Sequence, residues 1–448
     1  MSISRRVLLK GMALAPMCAK AIAQASRQEM QLAQRPPMGW NSWDSFGTGI
    51  NEAAAREVAQ VMARELLPHG YDVFTIDAQW YEPNANGFDY RAEAQLCMDE
   101  WGRLVPAPNR FPSAANGAGF KLLADYVHSL GLKFGIHVMR GVPRQAVSQS
   151  TPILGYSTHA NDIADMVNVC TWNGDMYGID MQRPGAQAYY DSLAALYAGW
   201  GVDYIKADDM SRPYLRNANE IHALRKAIDR CGRPMVLSLS PGETALAAAS
   251  DVIQSANLWR ISDDFWDNWP SLLEQFARLD AWSRYAGPGH WPDADMLPLG
   301  MLALGKRRTR FTADEQRTLM TLWCIARSPL IVGGDLRQLD PATRELLSND
   351  EVLAVNQRSA NSRQLRRQDD LVAWMSDSID GDARYLALFN LRDAAGDMRA
   401  IHFDLKTIGI NGKSRIRDAW RQHDLGVVNG DLSVHLPAHG AGLYRISV

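Results

Sequence analysis

Cysteine is scarce in this chain, and no cysteine pattern gives it a metal or redox role. Of the five, Cys18 lies near the start, and Cys97, Cys170, Cys231 and Cys324 are widely spaced without a CxxC pair, which argues against a zinc or thiol-exchange centre. Long apolar runs are also lacking. The one near the N-terminus is far shorter than the ~20 residues of a bilayer span, and no later segment supplies another. Charge of one sign is missing too: 47 Lys and Arg against 50 Asp and Glu give a net −3, so nothing suits the chain to nucleic acid or an anionic membrane. There is no low-complexity linker and no internal repeat. What remains is an ordinary globular composition, 46% hydrophobic and 22% charged, over 448 residues that accommodate one large domain and a smaller one.

The first 23 residues read differently from the rest. Arg5-Arg6 precedes a short apolar run, and Ala21-Ile22-Ala23 offers a small-residue cleavage site, the order expected of a twin-arginine export signal over 1–23. The expected location is therefore exported, periplasmic or secreted. Met17 is too large for a lipoprotein cleavage before Cys18. Without this leader, which carries four basic residues and no acid, the remainder stands near −7.

From Pro36 onward, short β-branched or aromatic runs alternate with amphipathic segments. The strand-like runs are 38–43, 71–80, 132–139, 202–209, 235–240, 256–264, 294–300 and 328–336. Between them, Leu122, Leu123, Tyr126, Val127 and Leu130 recur at helical spacing, as do Tyr189, Leu193, Leu196 and Tyr197. Eight strands alternating with helices predict an α/β fold, a (β/α)8 TIM barrel over 36–357. The segments 81–118 and 140–180 are long, rich in Gly, Pro and Asn, and follow strands, so they belong on the C-terminal face. After Asn356, short alternating runs separated by Asp-Gly, Asn-Gly and His-Gly turns predict an antiparallel β-sandwich over 360–448. Cys97 and Cys170 lie in loop-like sequence and are the pair expected to form a disulfide in an exported protein, whereas Cys231 and Cys324 sit in helical contexts as buried thiols.

The predicted strand ends are unusually acidic. In GVDYIKADDM (201–210), Tyr204, Lys206 and Asp208 share one face of a strand, opposite Ile205 and Ala207. Asp77, Asp264 and Asp295 close other strands and would converge on the same mouth. Any one of them is more often a helix cap or a solvated strand end. Four together, with Arg260 and with Trp40, Trp43, Trp80, Trp172, Trp259 and Trp266 nearby, suit a sugar site: indoles stack on ring faces, charged groups bind hydroxyls, and two carboxylates hydrolyse the bond.

MGWNSW (38–43), GRLVPAPNRFP (102–112), DYIKADD (203–209), WRISDDFWDNW (259–269), DADMLPLG (293–300) and SPLIVGGDLRQL (328–339) resemble glycoside hydrolase family 27. That is a family of retaining α-galactosidases and α-N-acetylgalactosaminidases. The resemblance implies Asp208 as nucleophile, Asp264 rather than Asp263 as acid/base, and a sugar subsite lined by Trp43, Asp77, Lys206, Arg260 and Asp295. Asp208 would be kept ionised by Lys206, and Asp264 would need burial against Trp259 or Trp266 to act as an acid. A covalent glycosyl-aspartate requires carboxyls about 5 to 5.5 Å apart. Neither metal nor any other cofactor is implied, and the expected partner is a galactoside or related oligo- or polysaccharide.

The departures concern recognition. The family's adjacent aspartates on the second strand become Asp77-Ala78, a tyrosine on the third becomes His137, counted here among the substrate-binding residues, and a Cys-Glu-Trp or Cys-Ser-Trp element becomes Ser240-Pro241-Gly242. Arg140, Arg144 and the 171–178 loop are the candidates to replace what is lost. The leading expectation is an α-galactosidase. β-L-Arabinopyranosidase and α-N-acetylgalactosaminidase are alternatives with the same chemistry, and a glycan-binding protein with a decayed site is the alternative of another class. A divalent-metal site at Asp208, Asp209 and Asp295 ranks last.

Overall fold

Eight short strands of wholly or largely buried residues follow one another along the first three quarters of the chain. A computed structural model describes residues 32–381, 383–393 and 398–447, so the twin-arginine segment lies outside the described residues. The strands are β1 (Met38–Asn41), β2 (Val73–Ile76), β3 (Lys133–Met139), β4 (Tyr204–Asp208), β5 (Val236–Leu239), β6 (Leu258–Arg260), β7 (Trp291–Asp293) and β8 (Leu330–Val332). All pair in parallel, in the order β7-β6-β5-β4-β3-β2-β1-β8. Parallel pairing requires a crossover after each strand, and the crossovers are helices: α1 (Glu52–Glu65), α2 (Lys121–Ser129), α3 (Ala186–Trp200), α4 (Tyr214–Arg230), α5 (Ala249–Ser255), α6 (Trp269–Trp282) and α7 (Ala313–Ala326), with α8 (Asp350–Gln357) after β8. This is a (β/α)8 barrel.

The helix starts are encoded locally. Asn51 accepts the Ala54 N–H at 3.0 Å, Asn268 accepts that of Ser271 at 3.0 Å, and Thr312 with Glu315 forms a capping box ahead of α7. In α2, Leu123 and Val127 face the core as their spacing predicts, while Leu122 turns outward.

The seventh strand departs from expectation. It occupies 291–293 rather than 294–300, because Asp295 takes φ 84°, a left-handed conformation that no strand continues. The displaced run still closes the ring. Leu297 donates its N–H to the Ile331 carbonyl at 2.7 Å, and its own carbonyl accepts the Gly333 N–H at 3.0 Å, bridging the β7 side to β8. The segment 140–180 is also more ordered than a loop: 142–143, 176–179 and 164–169 form a small antiparallel sheet beside the mouth.

Strands β9 (Ser359–Gln368), β10 (Leu371–Ser378), β11 (Arg384–Asn390), β12 (Arg399–Asp404), β13 (Lys413–Asp418), β14 (His423–Asn429), β15 (Asp431–Leu436) and β16 (Ala441–Ser447) build an antiparallel sandwich. One sheet runs β9-β10-β11-β16-β13-β14 and the other pairs β12 with β15. Alternation gives the larger sheet two apolar faces. Val372, Trp374, Phe389 and Leu443 join the barrel's core, while Leu371, Ala373, Leu388 and Ile416 meet Ile401, Phe403 and Leu432 inside the sandwich. Helix α7 carries the joint, with Thr318 Oγ1 donating to the His439 carbonyl at 2.6 Å, and the Trp420 indole N–H donating to Thr321 at 2.8 Å.

The expected disulfide is not formed. Cys97 and Cys170 are both free thiols because their loops fold apart: the backbone at Cys97 pairs back on Tyr81 and Val105, whereas Cys170 is buried beside Asp209. Cys231 and Cys324 are free as well; Cys324 is fully buried as expected, whereas Cys231, just past the end of α4, is only half-buried.

Since Trp374 is fully buried in the core shared by barrel and sandwich, Trp374→Ala should cost about 3 to 5 kcal/mol. Urea unfolding followed by circular dichroism checks this. A loss below about 1 kcal/mol would mean that the two domains do not share a core.

Candidate active site

The centre of the mouth is an ammonium enclosed by carboxylates. Lys206 and Asp208, two apart on β4, project to the same side, and Lys206 Nζ lies 2.8 Å from Asp77 Oδ2 and 4.0 Å from Asp208 Oδ1. Asp77, one residue beyond β2, also accepts from Asn41 Nδ2 at 2.7 Å and from the Ala78 N–H at 2.8 Å. Burial disfavours ionisation of both aspartates. Lys206 and His137 outweigh it, so Asp77 and Asp208 are each held below the usual carboxylate range, Asp208 strongly so. Burial likewise opposes the charge on Lys206, but Asp208 and Asp77 raise its pKa above the ordinary lysine value.

Two further groups hold Asp208. His137 on β3 is fully buried, with Nε2 2.8 Å from Asp208 Oδ2, and the Ser240 hydroxyl at the end of β5 donates to Asp208 Oδ1. Both positions read from the sequence as altered sugar contacts. The structure instead gives them to the carboxylate: His137, expected among the substrate-binding residues, is walled in and serves Asp208.

The second half of the site lies beyond β6. Arg260, buried, pairs with Asp295 at 2.7 Å and with Asp264 at 3.2 Å, while Asp295 accepts the Phe265 N–H at 2.7 Å. Burial pushes Asp295 up to about 7 against the pull of Arg260, with Asp264 and Asp293 adding to the rise. Asp264 is not buried as expected. Its side chain is 53% exposed, because Trp259 faces the helix layer against Trp282 and leaves it uncovered. Asp263 points to solvent and pairs with Arg212 at 2.7 Å.

The tryptophans divide. Trp40, Trp80 and Trp259 are buried in the core, whereas Trp43, Trp172 and Trp266 stand at the mouth. They are joined by two rings that the sequence reading did not single out. Phe88 packs on Trp43 and Trp266 with centroids 5.5 and 6.0 Å apart, and Tyr90 lies 6.1 Å from Trp43 and 5.5 Å from Trp172. The Tyr90 hydroxyl feels Asp208, Asp77 and Asp264, and with burial they raise its pKa. Its signal was the aromatic content of 81–118, a segment already placed on this face.

Asp44 was also missed, although it follows Trp43 directly. It is buried, one carboxyl oxygen has no hydrogen-bond partner, and burial beside Asp295 raises its pKa well above the usual range. Gly333 makes room for it, since a Cβ there would lie 2.0 Å from Asp44 Oδ2. The replacement candidates are committed elsewhere. Arg140 binds Asp209 and Glu220, and Arg144 donates to the Met176 carbonyl and lies over Tyr177. In the 171–178 loop the Trp172 ring is exposed and packs on Tyr90, while Asp175 accepts from Gln79 and Tyr81 at 2.8 and 2.9 Å.

The alpha galactosidase A family profile matches residues 35–181 and 176–358, and the alpha galactosidase C-terminal beta sandwich profile matches 368–446. The chain belongs to glycoside hydrolase family 27. It is 31% identical to an α-galactosidase of Cyamopsis tetragonoloba over 94% of this chain and 88% of that one. It is 30% identical to an α-N-acetylgalactosaminidase of Gallus gallus over 73% and 72% of the two chains. Among solved structures, a family 27 β-L-arabinopyranosidase of Geobacillus stearothermophilus matches with TM-score 0.91 and 50% identity, covering 94% of this chain and 98% of that one. This family 27 chain is thus a glycoside hydrolase, and the substrate is a glycoside. Among the described residues, no helix is long and apolar enough to cross a membrane.

The raised carboxyls of Asp44 and Asp295 predict that the stability of this chain depends on pH. A carboxyl raised in the folded state binds a proton that the unfolded chain releases above about pH 4, so its contribution to stability is full below that pH and is lost as pH rises through the folded value. Asp44→Asn keeps the shape without the charge. Thermal unfolding should show Tm rising at pH 8 and the difference between pH 5 and pH 8 narrowing, whereas an unchanged difference would contradict the assignment.

Proposed function

We propose that this chain is a retaining exo-glycosidase of galactose-configured pyranosides, with Asp208 as nucleophile and Asp264 as acid/base, and that it takes β-L-arabinopyranosides ahead of α-D-galactosides. The observation that carries the preference is Ala78, buried beside Asp77 where the family usually has a second aspartate. Both oxygens of Asp77 are already engaged by Asn41, Lys206 and the Ala78 N–H, and neither Arg140 nor Arg144 supplies a substitute. A galactoside, which carries an exocyclic CH2OH, would therefore enter with one carboxylate fewer to bind its hydroxyls. L-Arabinopyranose has the galactose ring stereochemistry and lacks that group. The 50% identity to a β-L-arabinopyranosidase supports the same reading. An unpaired hydroxyl costs about 1 to 3 kcal/mol, a preference of roughly 5- to 150-fold.

The chemistry follows from the two environments. Asp208, kept ionised by Lys206 and His137 against its burial, attacks the anomeric carbon while Asp264 gives its proton to the departing oxygen. Asp264 then takes a proton from the water that releases the glycosyl-aspartate. Occupation of the mouth would shield Asp264, now half exposed, from bulk solvent. An N-acetylgalactosaminide is less favoured, because the Ser240 hydroxyl donates to Asp208 and so cannot offer that proton to an acetamido group.

Measured on aryl glycosides, kcat/KM should be highest for β-L-arabinopyranoside, with α-D-galactoside lower by the factor above. A reversed order would make the chain an α-galactosidase. Asp208→Asn should lower kcat by about 10^4-fold or more, and a fluorinated glycosyl inhibitor should label Asp208. Near-normal turnover of Asp208→Asn would remove the nucleophile assignment. The twin-arginine leader supports export as part of this proposal: cell fractionation should find the protein outside the cytoplasm with a new N-terminus after Ala23.

A further inference from the structure

A second charged cluster lies behind the nucleophile. Arg140, directly after β3, donates its backbone N–H to the Asp208 carbonyl at 3.0 Å. Its guanidinium donates from Nε to Asp209 Oδ2 and to the Asp209 carbonyl at 2.9 and 3.0 Å, and from Nη2 to Asp209 Oδ2 at 2.7 Å. Nη1 donates to Glu220 Oε1 at 2.6 Å, and the other Glu220 oxygen accepts from the Tyr190 hydroxyl at 2.7 Å. Asn217 Nδ2 donates to the same Asp209 carbonyl at 2.9 Å. Arg140, Asp209 and Glu220 are 2%, 8% and 3% exposed, so the cluster is cut off from solvent. Gly178 allows it to close, since a Cβ there would lie 2.7 Å from Arg140 Nη1.

Asp209 sits at φ 62°, a conformation that costs most side chains energy and that something must hold. A buried ion network is a weak source of stability, because desolvation consumes much of what the pairing returns. What such a network does supply is a fixed geometry. We propose that Arg140, acting through Asp209 and Glu220, is the positioning residue for the nucleophile: it locks the peptide that follows Asp208 and so aims the carboxylate at the anomeric carbon. This rests on Asp208 being the nucleophile. The residues that the family resemblance assigns to the sugar, Asp77, Lys206 and Arg260, make none of these contacts, so the clamp should govern attack and leave binding of the sugar alone.

The decisive variant is Asp209→Gly, because glycine adopts φ 62° without strain while the side chain that Arg140 grips is removed. In the full-length protein, kcat on the aryl glycoside should fall about 10- to 100-fold, the loss expected of a misplacement near 1 Å. The rate at which a fluorinated glycosyl inhibitor labels Asp208 should fall in parallel. The inhibition constant of the free monosaccharide should stay within about 2-fold, and Asp209→Asn, which keeps an acceptor oxygen, should recover at least about 5-fold of the lost turnover. Arg140→Lys, which keeps the charge and loses the fork, should show the same split and serves if the glycine variant does not fold. Wild-type kcat in either folded variant, or equal losses in kcat and monosaccharide binding, would overturn the proposal. Failure of the nucleophile assignment looks different: Asp208 would then carry no label in the unmodified enzyme.

Discussion

The charged groups around Asp208 depend on one largely enclosed ammonium. Lys206 lies 2.8 Å from Asp77 and 4.0 Å from Asp208, in a place where none of the three charges would survive alone. Mutual pairing keeps all three ionised, and it fixes two carboxylates from different strands in one frame. His137 and Ser240 then complete the shell of Asp208. Asp208 is thus held by neighbours on β3, β4 and at the end of β5, which only a closed parallel barrel brings side by side.

The opposite wall works with the reverse balance. There Arg260 faces Asp264 and Asp295, with Asp293 and Asp44 nearby, and carboxylates outnumber cations. The excess is accommodated by protons, with Asp295 near 7 and Asp44 well above the ordinary range. One mouth therefore combines carboxylates held below the usual range with carboxylates raised above it.

Much of this was legible in the residues. The alternation of short buried runs with helical periodicity located seven of the eight barrel strands, and the turn-separated runs after Asn356 marked the sandwich. Lys206 and Asp208 could be placed on one face because side chains two apart on a strand always share one. The misses have definite causes. The seventh strand was set three residues late because Asp295 leaves the extended region, which its side chain does not advertise. Trp40, Trp80 and Trp259 looked like sugar platforms because an indole in the core and an indole at a mouth have the same sequence signature. His137 looked like a ligand to substrate, because nothing in the chain says that Asp208 lies 2.8 Å away across the β3–β4 pair. Tyr90 and Phe88 return to the mouth from a long excursion whose path no local pattern encodes.

By itself the sequence determined the periodicities, the caps, the charge pair on β4 and the substitution of Ala78 for a carboxylate, since these are properties of neighbouring residues. The tertiary structure decided which groups meet. It gave His137 and Ser240 to Asp208, sent Arg140 behind it to Asp209 and Glu220, left Asp264 half exposed, and kept Cys97 and Cys170 apart. The reason is range: a strand or helix is set by contacts within a few residues, whereas each of these pairings joins segments tens of residues apart through the closure of the barrel.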